Sequence, residues 1–471
     1  MSNRYTVAQK ALKINLDDSI YGTFAEIGAG QDVAGNFFKV GAASGTVAKT
    51  ISAYDMTFSD HIYGKENSGR YVCKSRVEKM VDYEFDLLEE RLGESCPDKR
   101  FFAFADTVAA RNFKGSNDPH GWLGLKFVMD PGDEPSRLVV HIRMHDQTNN
   151  LQANAIGKLG VNMISTCFYN SESIETIVSD LMDNISTSRI EIDMIQTSGP
   201  AFKHIDDRLL NLQLVVNGIT DAVMFMENGE ICLPKDELYR KNIILTRGSF
   251  RPPTKVNVDI LKTGFKNFAD DINSSSIVSL AEITINHLKE DGEITKEDFL
   301  ARVDLLSSIG QKVLITKMPQ FFSLTDYISS FKPSNLALVF GVYNFMQIFD
   351  SGYNQLKGGI LEALGSLFRP NVTVYLYPYR EESKNDELID LNSVTVKPKY
   401  THLLTHLKES GQVKNLQGYD DSILHIYSRK VLEMIKTNED GWEELVPKVI
   451  SDTINDKCLF GHPCSVVIDK V

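Results

Sequence analysis

The chain has 471 residues, 42% of them hydrophobic and 24% charged, with a formal net charge of −13. That length exceeds what one ordinary hydrophobic core organises, so two or three domains are expected. The acidic balance excludes a general nucleic-acid binder, which needs a basic face, and the longest clean apolar run, Leu336 to Val342, is far short of the ~20 residues a membrane helix requires.

The opening stretch MSNRYTVAQKALKINL has no apolar core of signal-peptide type. Cysteines at 73, 96, 167, 232, 458 and 464 show no disulfide-framework spacing, so reduced thiols and a cytoplasmic location are expected. Cys458, His462 and Cys464 are zinc-type donors, but with no fourth ligand at hand they are not read as a structural zinc site.

Residues 1–170 read as an α+β N-terminal domain with Gly-rich loops. In GTFAEIGAGQDVAGNFFKVGAASGTVAKT (22–50), Gly28 and Gly30 open a helix-like run where backbone amides can cradle a phosphate. The full dinucleotide fingerprint is missing, and close backbone packing or a subunit contact accounts for the glycines better. A charged helix is expected over 74–92. In FADTVAARNFKGSNDPHGWLG (104–124), Asp106, Arg111, Lys114, Asp118 and His120 crowd beside a strand, which suits either a ligand loop or a solvated one. Strands are expected at Trp122–Val128 and Arg137–His145, joined by the turn-rich MDPGDEPS. Period two puts Val140, Ile142 and Met144 on one face and His141, Arg143 and His145 on the other.

Residues 171–380 read as a Rossmann-like α/β domain. Apolar runs at 189–195, 221–226, 242–246, 277–283, 312–316, 336–342 and 372–378 alternate with helical patterns, which predicts crossover units and a mostly parallel sheet. Among the helical patterns are 204–218 and 295–310, the latter with Thr295 as N-cap, Asp298 as its capping partner and Gly310 as its stop. Residues 381–471 read as a helical C-terminal region.

The stretch RGSFRPPTKVNVDIL (247–261) follows the apolar run Ile243-Ile244-Leu245. It predicts a strand to about Thr246, a loop over 247–253 and a helix from about 254. Gly248 permits close backbone approach, Pro252 and Pro253 stiffen the loop, and Arg247 and Arg251 bring positive charge. Thr254 stands at the N-cap, and a helix N-terminus with free amides is a natural phosphate site. The pattern Gly-Ser-Phe-x-Pro-x-Thr resembles the nucleotide-binding motif of nicotinamide and nicotinate mononucleotide adenylyltransferases. The whole chain also resembles a bacterial family to which that label is sometimes attached.

The resemblance implies ATP and Mg²⁺ as cofactors and a small-molecule nucleotide as partner. It assigns Gly248, Ser249, Phe250 and Arg247 to binding, and Thr254, Asn257 and Arg251 to catalysis. Asn257 stands where the family has a histidine that holds ATP phosphates. The family's second signature, Ile-Ser-Ser-Thr-x-x-Arg, belongs at a later helix start; the nearest look-alike, ISTSRIE (185–191), lies upstream. The rival expectation is a non-catalytic, self-assembling cytoplasmic scaffold. Under either reading a homo-oligomer, filamentous if its contacts do not close, is expected, with the terminal SVVID segment near an interface.

Overall fold

The computed structural model describes residues 5–67, 69–289, 292–350, 353, 355–381 and 387–463. It is a mixed α/β protein that divides into two compact units, Met1–Asp221 and Ala222–Val471.

The first unit is built on β1 (Ile20–Ile27), β2 (Val47–Ser52), β3 (Arg100–Ala109), β4 (His120–Phe127), β5 (Ser136–Met144) and β6 (Ile190–Ser198). They form one sheet in the order β2-β1-β3-β4-β5-β6. β1 runs parallel to β2 and β3, while β3 to β6 pair antiparallel. Phe24, Phe102, Phe104 and Phe127 pack on one face against the helix Asn149–Tyr169. That helix is buried on every side from Leu159 to Phe168, with Asn162, Ser165 and Thr166 among the buried residues. The expected charged helix is Lys74–Leu92; its Val77 and Val81 approach Gly124 on the other face. Leu138, Val140, Ile142 and Met144 of β5 face the core, and His141 points the other way, where its Nδ1 meets Asp193 Oδ1 at 2.5 Å.

The expected boundary at 170 is displaced. β6 continues the sheet by pairing with β5 from Arg137 to Met144. The helices Ile174–Leu181 and Asp207–Val216 complete the same core.

The second unit has β7 (Ala222–Phe225), β8 (Ile231–Cys232), β9 (Asn242–Arg247), β10 (Ile277–Thr284), β11 (Lys312–Thr316), β12 (Asn335–Gly341), β13 (Val372–Tyr377), β14 (Tyr379–Glu381), β15 (Glu387–Ile389) and β16 (Val413–Asn415). The order is β16-β13-β12-β9-β10-β11-β7-β8, with β14 and β15 forming a separate antiparallel pair. From β16 to β11 every neighbour is parallel; β7 and β8 add antiparallel edges. Phe268 of the helix Lys255–Ile272 packs with Ile244 and Val339 on one face. On the other face, Leu324, Phe345, Leu364 and Leu404 from four further helices pack with Ile243, Leu245 and Leu338. β16 joins the sheet through residues expected to be a separate helical tail, so the unit runs on past 381.

Thr295 stands at the N-cap of the helix Lys296–Ser308 without a side-chain bond to it. Its expected partner Asp298 turns instead to Arg251 and Arg302. Cys73, Cys96, Cys167 and Cys232 are free. Cys464 and the SVVID segment lie outside the described residues. Among the described residues no helix is long and apolar enough to cross a membrane.

Candidate functional site

β9 is the interior strand of the parallel set, paired to β10 and β12 on its two sides. Its apolar residues Ile243, Ile244 and Leu245 are buried on both faces, as a central parallel strand requires. The strand ends at Arg247, the loop follows, and the helix Lys255–Ile272 begins one residue after Thr254, as the sequence predicts. Gly248 N–H donates to the Glu282 carbonyl at 3.1 Å. Phe250 is 1% exposed, with φ of +47°, and folds back so that a Cβ on residue 248 would lie 3.1 Å from its ring. A non-glycine residue in the left-handed region is sterically disfavoured and persists because its surroundings hold it.

Thr254 is fully buried and closes a capping box with Asn257. The Thr254 N–H and hydroxyl donate to Asn257 Oδ1 at 2.9 and 3.0 Å, and Asn257 N–H donates to the Thr254 hydroxyl at 3.4 Å. The position where the resemblance expects a histidine is thus occupied by a side chain that shapes the helix entrance.

The arginines beside the loop have partners within the protein. Arg247 makes a two-pronged pair with Glu282, Nε to Oε2 at 2.5 Å and Nη2 to Oε1 at 3.0 Å, and donates to the carbonyls of Met318 and Pro319 at 2.8 Å each. Arg251 Nε lies 2.5 Å from Asp298, which also pairs with Arg302. Arg302 in turn donates to the carbonyls of His287 at 2.6 Å and Ser249 at 3.2 Å, tying the loop to the end of β10. His287 is held below its ordinary imidazole pKa by burial first and then by the Arg247, Arg302 and Arg429 guanidiniums, against a hydrogen bond with the Gly248 backbone. From the far end of the unit, Ser428 opens the helix Ser428–Thr437 and brings its hydroxyl within 3.4 Å of Asn257 Oδ1.

No family model matches the chain, and no curated protein is similar to it. Among solved structures, the competence/damage inducible protein CihA from Agrobacterium tumefaciens is 18% identical over 35% of this chain and 97% of its own, with a TM-score of 0.26. A CinA-superfamily protein from Klebsiella pneumoniae is 10% identical over 34% and 93%, also at 0.26. A Vibrio parahaemolyticus protein assigned as a nicotinate-nucleotide adenylyltransferase is 12% identical over 48% and 98%, again at 0.26. At such scores these likenesses carry no argument about this chain.

The structure therefore gathers Arg247, Gly248, Ser249, Phe250, Arg251, Thr254 and Asn257 into one loop and helix entrance, and adds His287, Ser428 and Arg429. The look-alike ISTSRIE opens no helix; it forms the turn into β6. Ile426-Tyr427-Ser428-Arg429 does open a later helix, sharing the isoleucine and a serine with the expected signature. His287 follows Thr284, which caps a short turn after β10 through a 3.2 Å bond from His287 N–H.

Proposed function

We propose that the second unit is a Rossmann-like nucleotide-binding domain that joins ATP to a mononucleotide, giving a dinucleotide and pyrophosphate. One observation carries the reading. Counted along the chain from β9, the six parallel strands lie in the order 3-2-1-4-5-6. The 247–254 loop leaves the carboxyl end of strand 1 beside strand 4, where the connections reverse direction. Ligands of open α/β sheets bind at that switch point.

In this reaction a phosphate oxygen of the mononucleotide attacks the α-phosphorus of ATP. The bond to the bridging oxygen breaks, and pyrophosphate leaves with its electron pair. Charge gathers on phosphate oxygens, so the protein's work is positioning and neutralisation. The amides of Ser249, Lys255 and Val256 hold phosphate oxygens, while the Gly248 N–H stays on the Glu282 carbonyl and fixes the start of the loop. Thr254 and Asn257 keep that entrance in shape, and Arg251, Arg429 and His287 face the developing charge. Mg²⁺ supplies further neutralisation when it arrives with the triphosphate. The carboxylates of Glu282 and Asp298 beside the loop are engaged by arginines, so no step is assigned to a metal held by the protein.

The full chain, given ATP, Mg²⁺ and nicotinamide or nicotinic acid mononucleotide, should release pyrophosphate, and ATP should raise its melting temperature. Absence of both turns the reading to the non-catalytic scaffold. That rival is favoured by one feature: the loop's arginines are already paired, so the loop keeps its shape with no ligand. Light scattering tests the homo-oligomer that either reading allows.

A further inference from the structure

Glu26 and Asp106 stand directly opposite one another on the parallel strands β1 and β3. Period two places them on the face that carries Phe24 and Phe104, under the helix Asn149–Tyr169. They are 2% and 0% exposed, yet Oε1 of Glu26 has no hydrogen-bond partner among the described residues, and the Asp106 carboxyl has at most the Ile27 backbone N–H. Burial, and then the neighbouring Glu26, push the Asp106 carboxyl well above its ordinary range; burial, and then Asp32, push Glu26 up to about 7. Among the described residues no lysine or arginine acts on either group. Two adjacent buried carboxyls without a cation are neutralised either by protonation or by an ion bound between them.

The position is that of a ligand site. From β1 the chain turns to β2 on one side, and β3 lies on the other, so the connections diverge at the carboxyl ends of β1 and β3. Two segments singled out in the sequence meet there: the Gly28–Gly30 turn and the stretch beginning at Phe104. A Cβ on residue 30 would fall 1.6 Å from Asp106 Oδ2. Only glycine therefore fits at position 30 against the carboxylate.

We propose that Glu26 and Asp106 are the protein's carboxylate ligands for a divalent cation in the first unit. No third His, Cys, Asp or Glu among the described residues completes a metal-binding group with them. The remaining coordination falls to backbone oxygens and water, which suits a hard cation such as Mn²⁺, Mg²⁺ or Ca²⁺ and not zinc. The site is independent of the nucleotide reading, which rests on the second unit.

Mn²⁺ is the probe. Metal-free full-length protein, titrated with Mn²⁺ and followed by electron paramagnetic resonance, should take up about one ion per chain at this site. Asp106→Asn and Glu26→Gln should each weaken uptake at least tenfold. Gly30→Ala should do the same without removing a charge. Mn²⁺ should raise the melting temperature of the wild type and leave that of Glu26→Gln, the near-isosteric variant least prone to misfold, unmoved. Wild-type protein that takes up no Mn²⁺, or a folded Glu26→Gln variant that binds it as the wild type does, overturns the proposal.

Discussion

Replacing Arg247 by alanine tests whether the base of the loop is held by a buried ion pair. The Arg247 side chain is 5% exposed and that of Glu282 0%. The substitution removes two bonds to Glu282 and two to the carbonyls of Met318 and Pro319, and it uncovers the Phe321 ring 4.7 Å below the guanidinium. Glu282 keeps only the Thr316 hydroxyl, at 2.5 Å. Removing one partner of a buried pair costs about 3–5 kcal/mol, because the other charge is left in a poor solvent. For a unit of ~250 residues each kcal/mol lowers the melting temperature by about 2–4 °C, so a fall of roughly 6–20 °C is expected in calorimetry of the full chain. The double variant Arg247→Met/Glu282→Leu should recover most of that loss, since well-packed apolar residues replace such pairs at little cost. An Arg247→Ala protein melting within ~2 °C of the wild type would refute the argument.

Thr254→Ala opens the capping box and should destabilise the second unit by about 0.5–2 kcal/mol in urea unfolding; an unchanged midpoint counts against the cap. Under the nucleotide reading the same variant should also weaken ATP binding by about 1–3 kcal/mol, read by calorimetric titration. His287 sits below its usual pKa, through burial first and then the surrounding arginines, so the unfolded chain binds the extra proton more readily. The native state is then fully favoured above pH ~6.5 and loses stability as pH falls through that value toward the native pKa. His287→Asn should flatten stability between pH 7 and 5, and equal slopes for the two proteins would show that His287 does not contribute. Arg429→Ala should raise the KM for ATP by about 10–100-fold, with Arg429→Lys recovering part of it; a KM that does not move removes Arg429 from the site.

The second unit is the more legible part of the fold. β9 to β13 coincide with continuous apolar runs, because strands covered on both faces spell themselves out that way. β16 has only three residues and leaves no such run, which is why its region reads as a helical tail. In the first unit β1 carries Gly22, Thr23 and Glu26 among its apolar residues, so neither alternation nor a clean run marks it. The helix Asn149–Tyr169 is equally unmarked, since its polar residues, several of them buried, are spread round it and set no amphipathic period. At the site, the strand, loop and helix entrance around Gly248 follow from residue types whose local geometry is fixed by glycine, proline and threonine. His287 and Ser428 reach the loop through tertiary packing, from 30 and 171 residues beyond Asn257 in the chain, and no local pattern joins them to it. Ionisable groups were misleading for a related reason: Arg247 reads as a ligand contact and Asp298 as a capping partner, whereas each is buried against an opposite charge.

The division of the chain at Asp221 and Ala222 bears on how the protein is made. Each unit is one uninterrupted stretch, so all of the first sheet has been translated before β7 is. At ~5–20 residues per second, the remaining ~250 residues take roughly 10–50 s, ample for a domain to fold while still tethered. The second sheet has no such head start. Its central strand β9 comes early, while its outermost parallel neighbour β16 ends at Asn415, so that edge stays open for most of the unit's synthesis. A chain stalled between β13 and β16 would carry a finished first unit and an unpaired strand edge in the second, which is the species a cell's chaperones would have to shield.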